Sequence, residues 1–540
     1  MTFKNKVIYQ IYPKSFLDTT GNGIGDLLGI VEKLPYLNEL GVDMLWLNPI
    51  YPSPQKDNGY DISDYIGIDP LFGTMEDFEL LLREAKKYQI EIMFDMVLNH
   101  VSTEHVWFKK ALAGDVKYQN YFILRDEPTD WESKFGGNAW SKFGETDKYY
   151  LHLFDQTQAD LNWRNPEVRE ELANVVNFWL EKGVRGLRFD VINVIGKDEV
   201  LKNNPINDGK SEYTDKPITH DYLQELNERT FGKYDDAITV GEMSATTIES
   251  CILYTQPERN ELSMTFNFHH LKVDYKNKEK WTVMDFDFEE LKHLFHTWGE
   301  EMSQAGGWNA LFWNNHDQPR ALNRFVDVKE FRETGAKMLG AAIHLSRGTP
   351  FIYMGEEIGM VNPEFESIKE YVDVESLNAF DKLSQSGLSE NEVMTIIKDK
   401  SRDNSRVPMQ WNQNENSGFT KGTPWLKIAD NYTDINVVKE LETGSIFSFY
   451  QQLIALRKEM PLIAEGSYEG YAKDHQAVYG FIREWQGNKL LCLNNFYSES
   501  TIVEIPNEFL SGKILLDNYD ETELNQQQLL KPYQTLAILI

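Results

Sequence analysis

Cysteine is nearly absent from this chain of 540 residues, which contains only Cys251 and Cys492, each in a hydrophobic stretch. Two such residues form no disulfide framework and offer no spacing typical of a zinc site, so we expect two reduced, buried thiols. A run of about 18 or more apolar residues is also absent, and the N-terminus lacks the apolar centre of a signal segment. We therefore expect a cytoplasmic protein without a membrane anchor.

Positive charge is scarce as well. Lys and Arg number 54 against 85 Asp and Glu, which gives a net charge of −31. Such a surface repels nucleic acid and anionic membranes, so neither is expected as a partner. Hydrophobic residues make up 41% of the chain, enough for a large core. We expect a globular monomer whose partner is a small molecule.

Eight short apolar runs, rich in β-branched and aromatic residues, recur along the chain. They occupy residues 7–13, 43–50, 90–100, 184–193, 237–243, 262–268, 310–317 and 349–359. Segments of helical period, such as 75–88, 166–183 and 328–348, separate most of them. Strands that alternate with helices predict a parallel sheet, and eight such units predict an α/β fold of the (β/α)8 TIM-barrel class.

Interruptions of this alternation define the predicted domains. The catalytic barrel is expected over 1–100 and 166–470, with an inserted loop domain at 101–165 after the third strand. A second excursion, about 361–437, follows the eighth strand as a subdomain. Alternating apolar runs after about residue 470 predict a C-terminal antiparallel β domain over 471–540.

Polar residues gather where the predicted strands end, which is where barrel enzymes carry their catalytic groups. The stretch GLRFDVIN places Arg188 two residues before Asp190 in an apolar run, and a buried Asp is rare unless it is paired or functional. Alone, this stretch favours a structural ion pair. The other polar residues at strand ends are Asp57, Tyr60, Asn99, His100, Glu242, His316, Asp317, Glu356, Glu357 and, in the following excursion, Arg402. A set of this kind at one rim instead indicates an active site.

The acids of this set narrow the chemistry. No His/Cys zinc set, no G-x-S-x-G turn and no phosphate-binding glycine loop occurs in the sequence. Opposed carboxyl groups suit glycoside hydrolysis, in which one attacks the anomeric carbon and the other protonates the leaving oxygen. A third acid can hold the substrate.

Four motifs in order, DMVLNH, GLRFDVIN, VGEM and WNNHDQPR, carry a family resemblance. The chain resembles the α-amylase superfamily, glycoside hydrolase family thirteen, over essentially its whole length. The resemblance implies that Asp190 is the nucleophile and Glu242 the general acid and base. It further implies that Asp317 grips the 2- and 3-hydroxyl groups of the sugar.

The same resemblance implies a substrate-binding set. Arg188 would orient Asp190 and keep it ionised, while His100 and His316 would bind sugar hydroxyls. Asp57 and Arg402 would close the non-reducing end, with Tyr60 as a stacking platform. A closed end implies a retaining, exo-acting α-glucosidase that removes one terminal glucose.

Narrower resemblances concern the substrate. Val191, after the nucleophile, is typical of the oligo-1,6-glucosidase branch. The stretches DTTGNGIGD, WESKFGGNAW, LHLFDQTQADLNW, GEMSATT and MTFNFHHLKVDY resemble the trehalose-6-phosphate hydrolases. This implies hydrolysis of trehalose 6-phosphate to glucose and glucose 6-phosphate. The alternative is an oligo-1,6-glucosidase or dextran glucosidase acting on isomaltose-type ends, and a remoter one is a non-catalytic amylase-like binding protein.

A phosphorylated leaving sugar needs a cationic receptor. The segment HHLKVDYKNKEKW, residues 269–281, concentrates six His and Lys side chains in an acidic protein. Charge-assisted hydrogen bonds from such groups suit a phosphate. The resemblance points to His270 and Lys272, with Lys280 as a further candidate; the alternative is a solvated charged loop.

Residues 18–26 resemble a loop that binds calcium in many relatives. The implied oxygen ligands are Asp18, Thr20, Asn22, the Ile24 carbonyl and Asp26. A calcium ion here would be structural, and no cofactor is required for the chemistry. Thr20 and Asn22 contribute no charge, which weakens calcium binding. The alternative is a glycine-rich turn.

Overall fold

The computed structural model of the protein describes residues 3–204, 209–519 and 522–540. Its main sheet has eight strands: β1 Ile8–Ile11, β2 Met44–Leu47, β3 Glu91–Met96, β4 Gly186–Phe189, β5 Ile238–Glu242, β6 Met264–Phe266, β7 Ala310–Leu311 and β8 Thr349–Tyr353. Their order in the sheet is β6-β5-β4-β3-β2-β1-β8-β7. Because β1 pairs with β8 in parallel, this order is cyclic, as in a (β/α)8 barrel. The predicted α/β barrel is confirmed, and all eight predicted runs contain one of its strands.

Two compact units make up the chain. Unit 1 comprises Met1–Leu45 and Phe268–Ile540, and unit 2 comprises Trp46–Asn267. The strands are almost entirely buried, as expected of a parallel sheet covered on both faces. The domain boundaries inferred from the sequence stay a prediction.

Unit 2 contains the helices that follow β2 to β5. The helices are Met75–Lys87, Val106–Leu112, Val116–Gln119, Pro166–Lys182, Pro217–Arg229 and Ile248–Thr255. Local sequence sets their ends: Thr74 and Asp77 form a capping box at the first helix. Pro166 opens the long helix after the Asn165 cap, and Gly183, at φ +112°, ends it in the left-handed conformation that glycine tolerates. The helices predicted over 75–88 and 166–183 are confirmed.

Between β3 and Pro166–Lys182 lies a region of short strands. His100–Ser102 pairs antiparallel with Gln158–Asp160, and Tyr149–Leu151 pairs with both Leu124–Arg125 and Trp140–Lys142. Trp131 and Trp140 of this region belong to one buried apolar cluster with Tyr213, which follows β4. The cluster anchors the loop of residues 131–137, whose side chains become important below.

Unit 1 contains the remaining helices. They are Leu27–Leu40, Phe288–Ala305, Ala321–Phe325, Val328–His344, Val374–Gln385, Glu390–Lys400, Asp403–Arg406, Val437–Thr443, Ile446–Glu459 and Pro461–Glu465. Val328–His344 confirms the helix predicted over 328–348. The excursion after β8 is largely helical, and it supplies Arg402 and Arg406 to the site described below.

The C-terminal part of unit 1 is antiparallel β structure. Its strands are β9 Glu469–Tyr471, β10 Val478–Trp485, β11 Asn488–Asn495, β12 Thr501–Glu504, β13 Lys513–Asp517, β14 Gln527–Leu530 and β15 Thr535–Leu539. Five form a sheet in the order β9-β10-β11-β15-β13, and β12 pairs with β14. Leu491, Leu536 and Ile538 lie in its fully buried apolar core. The antiparallel character predicted for this region is confirmed.

Two of the expectations drawn from scarce features can be compared with the structure. Cys251 and Cys492 are both buried and free, as expected. Across residues 3–204, 209–519 and 522–540, no helix combines the length and the apolar content that crossing a bilayer requires.

Candidate active site

In unit 2, one buried arginine binds three carboxyl groups. Arg188 on β4 is 1% exposed, and its Nη1 donates to Asp95 Oδ1 at 2.6 Å and to Asp190 Oδ1 at 2.7 Å. Its Nη2 lies 2.7 Å from Glu242 Oε2. The strand register explains the cluster, because Arg188 pairs with Asp95 on β3 and with Val240, two residues before Glu242, on β5. The ion pair of the GLRFDVIN stretch is therefore part of an acid cluster.

Burial dominates the electrostatics of this cluster. It raises the pKa of Asp190 to about 6, although Arg188 opposes the rise while the charge of Asp95 adds to it. Burial also raises the pKa of Asp95 to about 6, again against Arg188. We expected Arg188 to keep the pKa of Asp190 low; it acts in that direction, but the desolvation of the carboxylate outweighs it. Asp190 remains mostly ionised at neutral pH.

Glu242 is the last residue of β5, and its carboxyl group shares Arg188 with that of Asp190. Glu242 Oε2 accepts from Arg188 and, at 3.2 Å, from the N–H of Val191. Val191 has φ +37°, a strained conformation for a β-branched residue.

The predicted sugar-binding residues of unit 2 lie in the same network. Tyr60 Oη donates to Asp95 Oδ2 at 2.9 Å, and its backbone oxygen lies 3.2 Å from His100 Nε2. Burial lowers the pKa of His100 to about 4, so its ring is neutral at physiological pH. Asp57 Oδ2 accepts from Gln158 at 3.0 Å. Unit 2 thus brings Asp57, Tyr60 and His100 together with the acid cluster, and Gln158 is a member that the sequence did not indicate.

In unit 1, Asp317 lies among three nitrogen donors. His316 Nε2 lies 3.0 Å from Asp317 Oδ2, and Gln10 Nε2 lies 2.9 Å from His316 Nδ1. Arg402 Nη1 and Arg406 Nη2 donate to Asp317 Oδ1 at 3.1 and 2.9 Å. Burial raises the pKa of Asp317, but His316, Arg402 and Arg406 outweigh it and hold that pKa well below its usual range. Asp317 is therefore ionised.

Asp373, a fully buried residue of the excursion after β8, orders the two arginines. It accepts from Arg402 Nη2 at 2.6 Å and lies 3.6 Å from Arg406 Nη1. Sequence reasoning identified Arg402 but missed Arg406 and Asp373. Arg406 could have been recognised from the sequence, because it lies four residues after Arg402 in the same SRDNSR stretch. Asp373 lies in an ordinary polar segment and could not have been.

Two family descriptions match the sequence. "Alpha amylase, catalytic domain" matches residues 10–466, and "Alpha-amylase SusG C-terminal domain" matches residues 478–536. The chain belongs to the alpha-amylase family. The resemblance drawn from the four motifs is confirmed, and with it the glycoside hydrolase class.

Several members of the alpha-amylase family are similar over their whole length. A trehalose-6-phosphate hydrolase of Bacillus subtilis (strain 168) is 50% identical over 547 residues, which cover 99% of this chain and 97% of that protein. An oligo-1,6-glucosidase of Halalkalibacterium halodurans is 43% identical, with coverages of 99% and 98%. The crystal structure of Bacillus licheniformis trehalose-6-phosphate hydrolase superposes with a TM-score of 0.96 at 51% identity, covering 99% of both chains.

The three residues predicted to bind phosphate differ in their surroundings. His270 is buried, and its Nε2 lies 2.8 Å from the backbone oxygen of Phe312. Burial lowers the pKa of His270 to about 3, so its ring is neutral. Lys280 pairs with Glu375 at 2.6 Å, whereas Lys272 is exposed. The two lysines can offer charge to a ligand, and His270 anchors the segment that carries them.

The loop at 18–26 was a candidate calcium site, with a glycine-rich turn as the alternative. Asp18 accepts hydrogen bonds from the backbone N–H groups of Thr20, Gly21 and Gly23 and from two threonine hydroxyls. Burial raises the pKa of Asp18, but these bonds outweigh it and lower that pKa.

The other expected ligands of this loop are also engaged by the protein. Asp26 caps the helix Leu27–Leu40, and Asn22 Oδ1 accepts from Ile24 N–H. In the part of the chain that the structure describes, no three His, Cys, Asp or Glu side chains are arranged to hold a metal ion. The side-chain oxygens of Asp18, Asn22 and Asp26 thus accept hydrogen bonds from protein groups, as the turn alternative predicts, and the calcium site stays a prediction.

Proposed function

We propose that this alpha-amylase family member is a retaining, exo-acting α-glucosidase that hydrolyses trehalose 6-phosphate to glucose and glucose 6-phosphate. The observation that carries the chemistry is the pair of carboxyl groups, Asp190 and Glu242, each held 2.7 Å from Arg188. The substrate rests on the named activity of relatives about 50% identical over the full length. The alternative is an oligo-1,6-glucosidase, the activity of relatives at lower identity.

The reaction has two displacements. Asp190 attacks the anomeric carbon, and Glu242 gives its proton to the leaving oxygen, so that glucose 6-phosphate departs and a glucosyl ester forms on Asp190. Glu242, now ionised, removes a proton from water, which attacks the same carbon and releases glucose. Two inversions give net retention. The mechanism requires carboxyl groups about 5–5.5 Å apart, a separation that neighbouring strands about 4.8 Å apart can supply.

Asp317 has the third acid role. We assign Asp317 to binding the 2- and 3-hydroxyl groups of the sugar. Its ionised state supports this role, because a carboxylate can accept hydrogen bonds from both hydroxyls. Arg402 and Arg406 hold Asp317 in that state. The hydrogen bonds to a 2-hydroxyl that strengthen in the transition state contribute several kcal/mol in glycosidases.

The remaining residues define the pocket for the terminal glucose. His100 and His316 are assigned to sugar hydroxyls, and the neutral ring of His100 can donate or accept. Tyr60 is assigned the stacking platform. Asp57 and Arg402 are assigned the closed non-reducing end, which limits the product to one glucose. Gln158, bonded to Asp57, positions that carboxylate.

The phosphate of the leaving sugar is assigned to Lys272 and Lys280. A phosphate dianion accepts charge-assisted hydrogen bonds and can compete with Glu375 for Lys280. His270 takes a supporting role in this assignment, because its bond to Phe312 fixes the segment. The solvated-loop alternative predicts that neither lysine affects substrate choice.

No step of this mechanism uses a cofactor or a metal ion. A dianionic sugar phosphate does not cross a bilayer unaided, because burying charge in lipid is costly. We therefore place the enzyme in the cytoplasm, where sugar phosphates are held. Its proposed partner is the phosphorylated disaccharide alone, and we propose that the protein acts as a monomer.

A side-by-side assay tests the substrate. Purified protein is given trehalose 6-phosphate and isomaltose separately, and kcat/KM is measured from glucose release. We expect strong preference for the phosphorylated sugar. Preference for isomaltose would instead establish an α-1,6-glucosidase that uses the same acids.

A further inference from the structure

A lysine from the region between β3 and β4 contacts the segment that follows Glu242. Lys134 Nζ lies 2.7 Å from Ser244 Oγ, a hydrogen bond that joins residues 110 positions apart in the sequence. Ser244 comes two residues after Glu242, and two residues of chain span at most about 7 Å. The ammonium group of Lys134 is therefore bound to the segment that directly follows the general acid.

The position of Ser244 is fixed by a buried side chain. Asn193, which is fully buried, accepts from the Ser244 N–H through Oδ1 at 2.8 Å and donates to the Ser244 carbonyl through Nδ2 at 2.8 Å. Asn193 itself lies three residues after Asp190. These two hydrogen bonds tie the segment that follows β4 to the segment that follows β5. Ser244 is thus a rigid position relative to both catalytic acids.

Lys134 is also held from its own side. Its backbone N–H donates to the oxygen of Leu153 at 2.8 Å, and the neighbouring Ser133 donates to the oxygen of Phe154 at 2.7 Å. The ammonium group lies 5.3 Å from the ring centre of the buried Tyr213, a cation–π distance. Lys134 and Ser244 are both partly exposed, so a ligand can reach them.

We propose that Lys134 and Ser244 form a receptor for the phosphate of the leaving sugar. The proposal rests on the function proposed above and adds a specificity site to it. Glu242 protonates the leaving oxygen, so the leaving sugar lies on the side of Glu242. A lysine has three N–H donors and a serine hydroxyl has one, all suited to phosphate oxygens. A phosphate has three acceptor oxygens for these donors.

The receptor also explains why a negatively charged enzyme tolerates a dianionic substrate. Asp95, Asp190 and Glu242 outnumber Arg188, and the whole chain carries a net charge of −31. An anion entering beside these acids is repelled unless a cation lies close to it. Lys134 supplies that cation in unit 2, on a rigid support.

The test compares two substrates and two lysines. Trehalose 6-phosphate carries the phosphate, and p-nitrophenyl α-glucoside has an uncharged leaving group. For Lys134→Met, we expect the ratio of kcat/KM on the first substrate to kcat/KM on the second to fall roughly 10- to 100-fold, the effect of losing a hydrogen bond to a charged group. Lys134→Arg should restore most of the ratio. The control is Lys142→Met, an exposed lysine of the same region, which should keep the wild-type ratio.

Product inhibition gives a second readout. Glucose 6-phosphate should inhibit p-nitrophenyl α-glucoside hydrolysis by the wild-type enzyme, and Lys134→Met should raise its inhibition constant roughly 10-fold or more. Ser244→Ala should raise it by a smaller factor. Glucose without phosphate should inhibit both enzymes equally.

The outcomes separate the two proposals. If the wild-type enzyme prefers trehalose 6-phosphate and Lys134→Met keeps that preference, the receptor is wrong and the proposed function stands. If Lys134→Met lowers kcat/KM equally on both substrates, Lys134 is structural and the receptor is again wrong. If the wild-type enzyme shows no preference for the phosphorylated sugar, the proposed function fails, and the receptor fails with it.

Discussion

Asp95 and Asp190 share one hydrogen-bond donor, the Nη1 atom of Arg188, at 2.6 and 2.7 Å. A single cation between two buried carboxylates stabilises both incompletely, because burial penalises each charge. Burial raises both pKa values to about 6; the charge of Asp95 adds to the rise at Asp190, and the charge of Glu242 adds to the rise at Asp95. Asp95 therefore contributes to how readily the proposed nucleophile loses its proton.

Replacing Asp95 by Asn should move the acid limb of the activity profile. A nucleophile must be ionised, so wild-type kcat/KM should fall as the pH drops below about 6, the raised pKa of Asp190. Asp95→Asn removes a negative charge, which lowers the pKa of Asp190 and shifts this limb to lower pH. The measurement is kcat/KM on p-nitrophenyl α-glucoside from pH 4 to pH 8. A limb that stays in place, or moves to higher pH, would contradict the coupling.

Removing Arg188 should destabilise the protein in a pH-dependent way. Arg188→Met leaves three buried acids without their cation, and breaking a buried pair costs about 3–5 kcal/mol. The loss of unfolding free energy should be larger at pH 7 than at pH 5, because the acids take up protons at the lower pH. Urea unfolding at both values measures it.

Arg164→Met is the matched control for Arg188. It removes a largely exposed arginine of the same unit, paired with Glu199 at 3.6 Å, and should cost no more than about 1 kcal/mol. Equal losses for the two variants would show that the Arg188 cluster contributes no special stability.

Much of the acid cluster could be predicted from the sequence, and Asp95 shows where the prediction stopped. Asp190 stood out as an Asp inside an apolar run next to an Arg. Asp95 lies in an equally apolar run, IMFDMVLNH, but the Arg that explains it is 93 residues away. A partner two residues away, such as Arg188 for Asp190, can be recognised in the sequence. A partner on a neighbouring strand, such as Arg188 for Asp95, is recognised only once the register of the sheet is known. Arg188 itself was predicted because its partner Asp190 is local.

Other residues were predicted to belong to the site but have structural roles. Glu357 was grouped with the acids at the strand ends, yet it is fully buried and accepts from Tyr9 and Tyr36 at 2.7 and 2.6 Å. It is a structural acid of unit 1. His270 was grouped with two lysines as a phosphate ligand, but its ring is bonded to the backbone of Phe312. A residue's type suggests chemistry, and only packing decides whether its polar atoms face a ligand.

The acid stability of unit 1 should depend on Asp317. Its pKa in the folded protein lies well below the ordinary value of an Asp, about 3.9. Ionised Asp317 therefore contributes stability that is present above that ordinary value and is lost as the pH falls through the folded pKa. We expect the difference in unfolding free energy between wild type and Asp317→Asn to be constant from pH 7 to pH 5 and to shrink below about pH 4. A difference that grows as the pH falls would contradict this.

Chelation should leave the fold unchanged. Because protein donors, from the turn at 18–26 and from Thr420, satisfy Asp18, EDTA should shift the melting temperature by less than about 1 °C. Thr420→Val removes the hydroxyl that donates to Asp18 and should cost roughly 1 kcal/mol, the contribution of a typical hydrogen bond. A large drop in melting temperature with EDTA, reversed by calcium, would restore the calcium site.

The most direct measurement is to trap the covalent intermediate. The protein is incubated with 5-fluoro-α-D-glucosyl fluoride, digested with pepsin at low pH and examined by tandem mass spectrometry, with Asp190→Ala as the control. We expect a fluoroglucosyl ester on Asp190 in the wild-type enzyme, slower labelling in Glu242→Gln, and no label in the control. A label on any other residue, or one that persists in Asp190→Ala, would contradict the assignment of Asp190 as the nucleophile.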